Sequence, residues 1–380
     1  MSSPLLEDIP DEIILKVLGY LEIKDQLSVG HASKRLRAVS QDETLWKRIS
    51  ISWNDGIPAE FLDMVLQNGC RYLDLRFATL DGDLSPETKL KLKYLAIRSE
   101  IQNERFDDFR DFIDFRDSGD SEDPEDFKDR LLKSCNSLQK LQINDIDKHL
   151  VNSICYQHGK TLQALDISFR YYIKPEFFQL IARNCVELKE LAFEYYSVEP
   201  VDEELEELYR PILCFEFIGY VVENLTTKIE KLCISRAAID DEQVKTLVSR
   251  CKKLKVLDIS YPYGTHNCDM TITDNTLTHI IEHLKPTLEE LNVKGCEYLS
   301  YDKLVQLRSM PCLRKVNCNM WNNRIDVQEL LKEMPHVEFS KEYGYNNICN
   351  FCEFRQWTTD RKRIWELSPK SVELFSKVTK

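Results

Sequence analysis

Apolar residues recur along this chain in two different rhythms. From Ile9 to Ile49 the spacing is helical. Ile13, Ile14, Val17, Leu18 and Leu21 follow Pro10, whose fixed φ suits a first helical turn. A second helix is predicted over Asp25 to Arg37, with the basic end that a helix C-terminus favours. A third, short one is predicted where Asp42-Glu43 precede Leu45-Trp46. Three short helices in this space bury little core, so the segment is expected to present apolar surface to a partner.

Beyond residue 70 the rhythm becomes strand-like, with apolar residues two apart inside short runs. The runs are Tyr72-Leu73-Asp74-Leu75, Tyr94-Leu95-Ala96-Ile97, Leu141-Gln142-Ile143, Leu165-Asp166-Ile167, Leu191-Ala192-Phe193 and Leu232-Cys233-Ile234. They continue with Leu257-Asp258-Ile259, Leu291-Asn292-Val293 and Val316-Asn317-Cys318, and a weaker tenth at Val337-Glu338-Phe339. The step is 24 residues from Leu141 to Leu165, 26 on to Leu191, and 25 from both Leu232 to Leu257 and Leu291 to Val316. A period of that length marks leucine-rich repeats, each a short strand plus a helix. Cys135, Cys185 and Cys251 stand three residues before Leu138, Leu188 and Leu254, each of which precedes the first Leu of a run by three. The pattern resembles the cysteine-containing leucine-rich-repeat subtype. The expected fold is an α/β solenoid: three short helices, then a curved array with parallel strands concave and helices convex.

The first segment resembles an F-box. That family has a Leu-Pro start, a central Asp-Leu, a basic Lys-Arg step and a late Leu-Trp. Here the counterparts are Ile9-Pro10, Asp25 and Leu27 with Gln26 inserted, Lys34-Arg35, and Leu45-Trp46; His31-Ala32-Ser33 stand where Val-Cys is common. The resemblance divides the chain into an F-box at 4–50, repeats at 51–345 and a C-terminal cap or tail at 346–380. It implies a substrate-recognition subunit of an SCF-type (Skp–cullin–F-box) ubiquitin ligase, without catalytic chemistry, cofactor or metal of its own. A Skp-type adaptor, and through it a cullin, would dock on Ile9, Pro10, Ile14, Val17, Leu18, Leu21 and Leu27, with Trp46 holding the helices together. The repeats would hold an unknown protein to be ubiquitinated. A scaffold that binds the adaptor without causing degradation fits the same sequence.

Charge adds a second layer. Residues 100–126 carry twelve acids and three Arg, and residues 199–210 six acids and one Arg; without these two segments a net charge of −13 becomes about +1. Both fall where the repeat step lengthens, to 46 and 41 residues, and so read as acidic insertions. The last thirty residues are net +3, and Ser368-Pro369 predicts a capping helix over the final repeat. An odd count of 13 Cys, mostly at repeat-core positions, predicts buried thiols in a reducing compartment, cytoplasmic or nuclear. No apolar run reaches membrane-span length, and no basic stripe suits nucleic acid.

Two motifs invite metal chemistry. His279-Ile280-Ile281-Glu282-His283 has the H-x-x-E-H spacing of zinc peptidases, which leaves a zinc hydrolase as a distant alternative. Leu277, Ile280, Ile281 and Leu284 form that helix's buried stripe, so the trio is expected outside, away from any dry cleft. Cys349 and Cys352 have the spacing of half a zinc site, with no second pair following. For partner binding, the residues between the core Leu positions should face outward on the concave side, as a polar surface of mixed sign. Aromatic residues cluster just after the strands. The candidate substrate-binding set is Asp166, Tyr195, Asp258, Tyr261, Tyr263, Asn292, Asn317 and Trp321.

Overall fold

The computed structural model describes residues 9–21, 23–81, 84–85, 90–97, 127–144, 148–169, 175–195, 219–235, 237, 239–260, 272–318, 326–339 and 364–366. The chain forms two units, one of residues 1–138 with 361–380, the other of residues 139–360.

The first unit begins with four short helices: α1 (Asp11–Leu18), α2 (Ile23–Gly30), α3 (Lys34–Ser40) and α4 (Glu43–Trp46). The single helix predicted over Asp25 to Arg37 is therefore two. Ser33 breaks it, because its hydroxyl accepts from the Leu36 backbone N–H and starts α3 afresh. The inserted Gln26 also has a structural task. It is buried, and its Nε2 donates to the carbonyls of Leu18 (2.8 Å) and Leu21 (3.1 Å), closing the C-terminal end of α1. Arg35 of the basic step reaches back to Asp11 Oδ1 and to the Ile9 carbonyl (2.7 Å), tying α3 to the start of α1. Trp46 is 1% exposed and donates Nε1–H to the Ser40 carbonyl at 2.8 Å, joining α4 to the end of α3.

Behind the helices lie β1 (Arg48–Pro58), α5 (Ala59–Gln67), β2 (Tyr72–Asp81), β3 (Tyr94–Ile97) and α6 (Phe127–Ser134). Strands β1, β2 and β3 pair in parallel, so that Ile49, Leu73 and Leu95 form one buried row. The other edge of β1 is paired by β12 (Ile364–Glu366), also parallel, with Ser50 opposite Ile364. The described part of the C-terminal tail thus covers the first strand, where the sequence predicted a cover for the last repeat. An open β1 would leave a row of unpaired amides and carbonyls, which accounts for the pairing. The helix predicted behind Ser368-Pro369 lies outside the described residues.

The second unit is an α/β solenoid. Its strands are β4 (Lys140–Asn144), β5 (Ala164–Phe169), β6 (Glu190–Tyr195), β7 (Lys231–Ser235), β8 (Val256–Asp258), β9 (Glu290–Asn292), β10 (Lys315–Asn317) and β11 (Glu338–Phe339). All pair in parallel with their sequence neighbours. The register places Leu141, Leu165, Leu191, Leu232, Leu257, Leu291, Val316 and Phe339 in one continuous buried row. Each repeat hands the next one carbonyl: Gln139, Gln163, Lys189, Glu230, Lys255, Glu289 and Arg314 each accept an amide from the following repeat at 2.7–2.8 Å. Repetition of the same contact from repeat to repeat is how a stack builds stability from neighbours alone.

The helices behind these strands are α7 (Lys148–Ser153), running into a π-helical turn (Ile154–His158), α8 (Pro175–Asn184), α9 (Asp241–Arg250), α10 (Asp274–Leu284), α11 (Tyr301–Val305) and α12 (Val327–Glu333). Adjacent helices are stitched at their starts. Asp241 in the first turn of α9 accepts from the Thr273 amide (2.9 Å) and hydroxyl, and Asp274 of α10 accepts from the Ser300 amide (2.8 Å) and hydroxyl (2.6 Å). Thr273 and Ser300 are the N-caps of α10 and α11, so one carboxylate fixes where the next helix begins.

Tight packing between repeats has a further signature at Gly159. A Cβ there would lie 2.4 Å from the Cys155 carbonyl oxygen and 2.8 Å from that of Asn184, both backbone atoms. Gly159→Ala is expected to destabilise the second unit by about 1–3 kcal/mol through overpacking, read as a lower urea midpoint with an unchanged m value. An unaltered midpoint would show that the π-helical turn yields freely.

Candidate functional site

The surface of α1 is the first candidate. Ile14, Leu18 and Leu27 are 1–5% exposed and face the helical core of the first unit. Of the positions expected at an adaptor interface, these three support the domain from inside. Pro10 and Val17 are exposed, and Ile9 and Leu21 are half-buried. Sequence reasoning passed over Ile13 (46% exposed) and Tyr20 (92%), which with Val17 (55%) make an apolar strip along α1 and the turn that follows it. Ile13 and Val17, four residues apart, share one face of α1, and Tyr20 stands in the turn just past its end, where its amide bonds the Val17 carbonyl. That spacing was the available signal. It was hidden because Ile13 and Ile14 are adjacent and either assigns the buried stripe equally well. Apolar side chains this exposed make this part of the domain a candidate interaction surface.

The strands of the second unit carry two polar rows. The outer row, at the strand starts, runs Lys140, Ala164, Glu190, Lys231, Val256, Glu290, Lys315 and Glu338 in register. Charges of opposite sign meet across it: Glu190 Oε1 lies 3.5 Å from Lys231 Nζ and 3.8 Å from Lys140 Nζ. Burial raises the Glu290 carboxyl pKa above the usual range, opposed by Lys315 and Lys231. In the neighbouring row, Lys255 donates to Glu230 at 2.7 Å and holds that carboxyl below its usual range. These half-exposed pairs each contribute at most about 1 kcal/mol. The outer row has the mixed-sign character expected of it.

The inner row is Gln142, Asp166, Ala192, Cys233, Asp258, Asn292 and Asn317, and every member is 0–8% exposed. Asp166, Asp258, Asn292 and Asn317 were expected to stand outward toward a partner; the structure instead buries them. For Asp166, Asp258 and Asn292 the reason is cross-strand hydrogen bonding. Gln142 Nε2 donates to Asp166 Oδ2 at 3.0 Å, and Asn292 Nδ2 donates to Asp258 Oδ2 at 2.9 Å. Asp258 Oδ1 also accepts from the Ser260 amide (2.9 Å) and hydroxyl (2.6 Å), and Asn292 Oδ1 accepts from the Lys294 amide (3.2 Å). Buried carboxylates are tolerated where several donors converge on them. Tyr195 ends β6 opposite Phe169 in the backbone register, but its side chain lies outside the described residues. Tyr261, Tyr263 and Trp321 lie outside them altogether, as do Cys349, Cys352 and the acidic insertion at 199–210.

His279, Glu282 and His283 sit together on α10. His279 and His283 are half-buried and Glu282 is exposed, while Leu277, Ile280 and Leu284 face the core and Ile281 is half-buried. One ligand atom from each of the three lies within 4.8 Å of the others. Among the described residues, no helix is long and apolar enough to cross a membrane.

Comparison with known proteins places one part of the chain. Residues 6–52 match the family described as F-box-like. They form an F-box-like domain, and the four helices and their apolar strip lie within it. No curated protein matches the chain. Among solved structures it is similar to the crystal structure of the Rad7 and Elc1 complex in yeast, at 12% identity and a TM-score of 0.47, over 89% of this chain and 90% of that one.

Proposed function

We propose that this protein is the substrate-recognition subunit of an SCF-type ubiquitin ligase, acting in the cytoplasm or nucleus. In this reading the F-box-like domain docks on a Skp-type adaptor, the adaptor joins a cullin, and the repeats hold the protein to be ubiquitinated. The observation that carries it is the conjunction of an F-box-like domain with exposed apolar side chains on its first helix, Ile13 and Val17, and in the turn that follows it, Tyr20. Ile9, Pro10 and Leu21 extend the same interface, and Ile14, Leu18 and Leu27 act behind it by holding α1 in place. The second unit fits the leucine-rich-repeat class and supplies a rigid holder with charged edges. Its role is positional: holding a target beside a charged conjugating enzyme raises effective concentration, and no group of this chain makes or breaks a bond.

The test is co-purification with a Skp-type adaptor. Burying a Val side chain is worth about 1.5–3 kcal/mol, and a Tyr at an interface centre at least as much. Val17→Glu with Tyr20→Ala is therefore expected to weaken adaptor binding by about 100-fold or more while the fold, read by circular dichroism, is unchanged. Equal recovery of adaptor by the double variant and the parent protein would refute the interface. A target whose lifetime is unaffected by loss of this protein, despite a normal adaptor complex, would instead favour the non-degradative scaffold.

A further inference from the structure

The trio on α10 goes beyond that reading. We propose that His279, Glu282 and His283 form a surface site for one divalent transition-metal ion of the zinc class, built entirely from a single helix. Residues at i, i+3 and i+4 project from one face of a helix, within reach of a common point. Here that projection brings one imidazole nitrogen, one carboxylate oxygen and a second imidazole nitrogen within 4.8 Å of each other. His279 Nδ1 is the anchor. It is enclosed, has no hydrogen-bond partner, and faces Glu282 Oε2 at 4.0 Å. A buried polar atom left without a partner costs about 1–3 kcal/mol, a penalty that a coordinated cation removes.

The rest of the trio is adjustable. The Glu282 side chain is 63% exposed against 19% for His279. Ligands about 2.0–2.2 Å from a zinc ion stand closer together than the present spacing, so Glu282 and His283 need only rotate inward about a fixed His279. Two imidazoles and a carboxylate suit zinc, cobalt and nickel rather than calcium or magnesium, which prefer all-oxygen sets. Three protein ligands leave a fourth position open toward solvent. On the surface of a helix that position suits a water or a ligand atom from a bound protein.

The experiment is Co2+ titration of the full chain under reducing conditions, followed by visible absorption. The chain's 13 cysteines are competing ligands, and a thiolate site announces itself by a near-ultraviolet sulfur-to-cobalt charge-transfer band. The expected result is one tightly bound equivalent with visible d–d bands and no thiolate band, displaced by Zn2+. His283→Asn and Glu282→Gln each are expected to weaken it by about tenfold or more. Both residues are at least partly exposed, so these variants keep the fold even if His279→Asn does not. Absence of a bound equivalent, a thiolate spectrum, or unchanged affinity in His283→Asn would each overturn the site.

Discussion

Trp46→Ala is expected to destabilise the F-box-like domain by about 3–5 kcal/mol, the range for removing a fully buried aromatic side chain. A small domain has about 5–15 kcal/mol in total, so the helices of this variant should open far more often than those of the parent. The residue does two things at once. Its ring fills the space where α3 and α4 meet, at 1% exposure, and its indole N–H satisfies the Ser40 carbonyl at the end of α3. Trp46→Phe separates the two in part, because it keeps most of the aromatic volume while losing the hydrogen bond. It should cost about 1–3 kcal/mol. Hydrogen exchange over residues 11–46 reads both variants. Since α1 is held by the same core through Ile14 and Leu18, Trp46→Ala should also lose the adaptor, although Trp46 is not on the proposed interface. A Trp46→Ala protein with native exchange protection in α1 would break the link between this core and that surface.

Much of the fold was written in the spacing of leucines. Every run from Tyr72 to Phe339 that the two-residue rhythm marked is a strand, because a solenoid repeats one packing problem and each copy reinforces the reading of the others. The elements that were missed lack that reinforcement. β1 has its own alternation in Ile49, Ser50 and Ile51, but it begins directly at the end of the helical segment and was absorbed into it. β12 is three residues long and is defined by its pairing with β1, which no local pattern encodes. Gln26 looked like an irregularity within a familiar motif, whereas its amide ends α1.

The candidate sites were less legible for a physical reason. Alternation assigns Asp166 and Asp258 to the face opposite the leucines, and it assigns that face to solvent only if nothing else satisfies the carboxylates. Whether Asn292 reaches Asp258 is a matter of register across 34 residues, which composition and spacing do not contain. Exposure on α1 has the same character. Ile13 and Ile14 are equivalent in sequence, and only the packing of α2 and α3 decides which one is core.

Alkaline pH should uncover the buried thiols as a second large effect. Cys70 and Cys135 in the first unit are fully enclosed, and desolvation by burial pushes each thiol up to about 12. Cys318 in the second unit is likewise raised to about 12, and Cys251 to about 11, again chiefly by burial. An unfolded thiol titrates near 8.5. Between those values the folded chain keeps protons that the unfolded chain has lost, so the unfolded state gains free energy as pH rises. The contribution of each thiol to stability is fully retained below about 8.5 and is lost progressively up to about 12, at about 1.4 kcal/mol per pH unit. From pH 7.5 to 10, one such thiol removes about 2 kcal/mol and the Cys70–Cys135 unit about 4 kcal/mol. Lys and Tyr also titrate over this range, so the informative quantity is a difference. Cys135→Ala should start from a lower stability at pH 7.5 because of its cavity, yet lose about 2 kcal/mol less than the parent protein between the two pH values. Urea unfolding at both pH values under reducing conditions measures this. Parallel losses in parent and variant would mean that Cys135 ionises within the folded protein, and that its site is open to water.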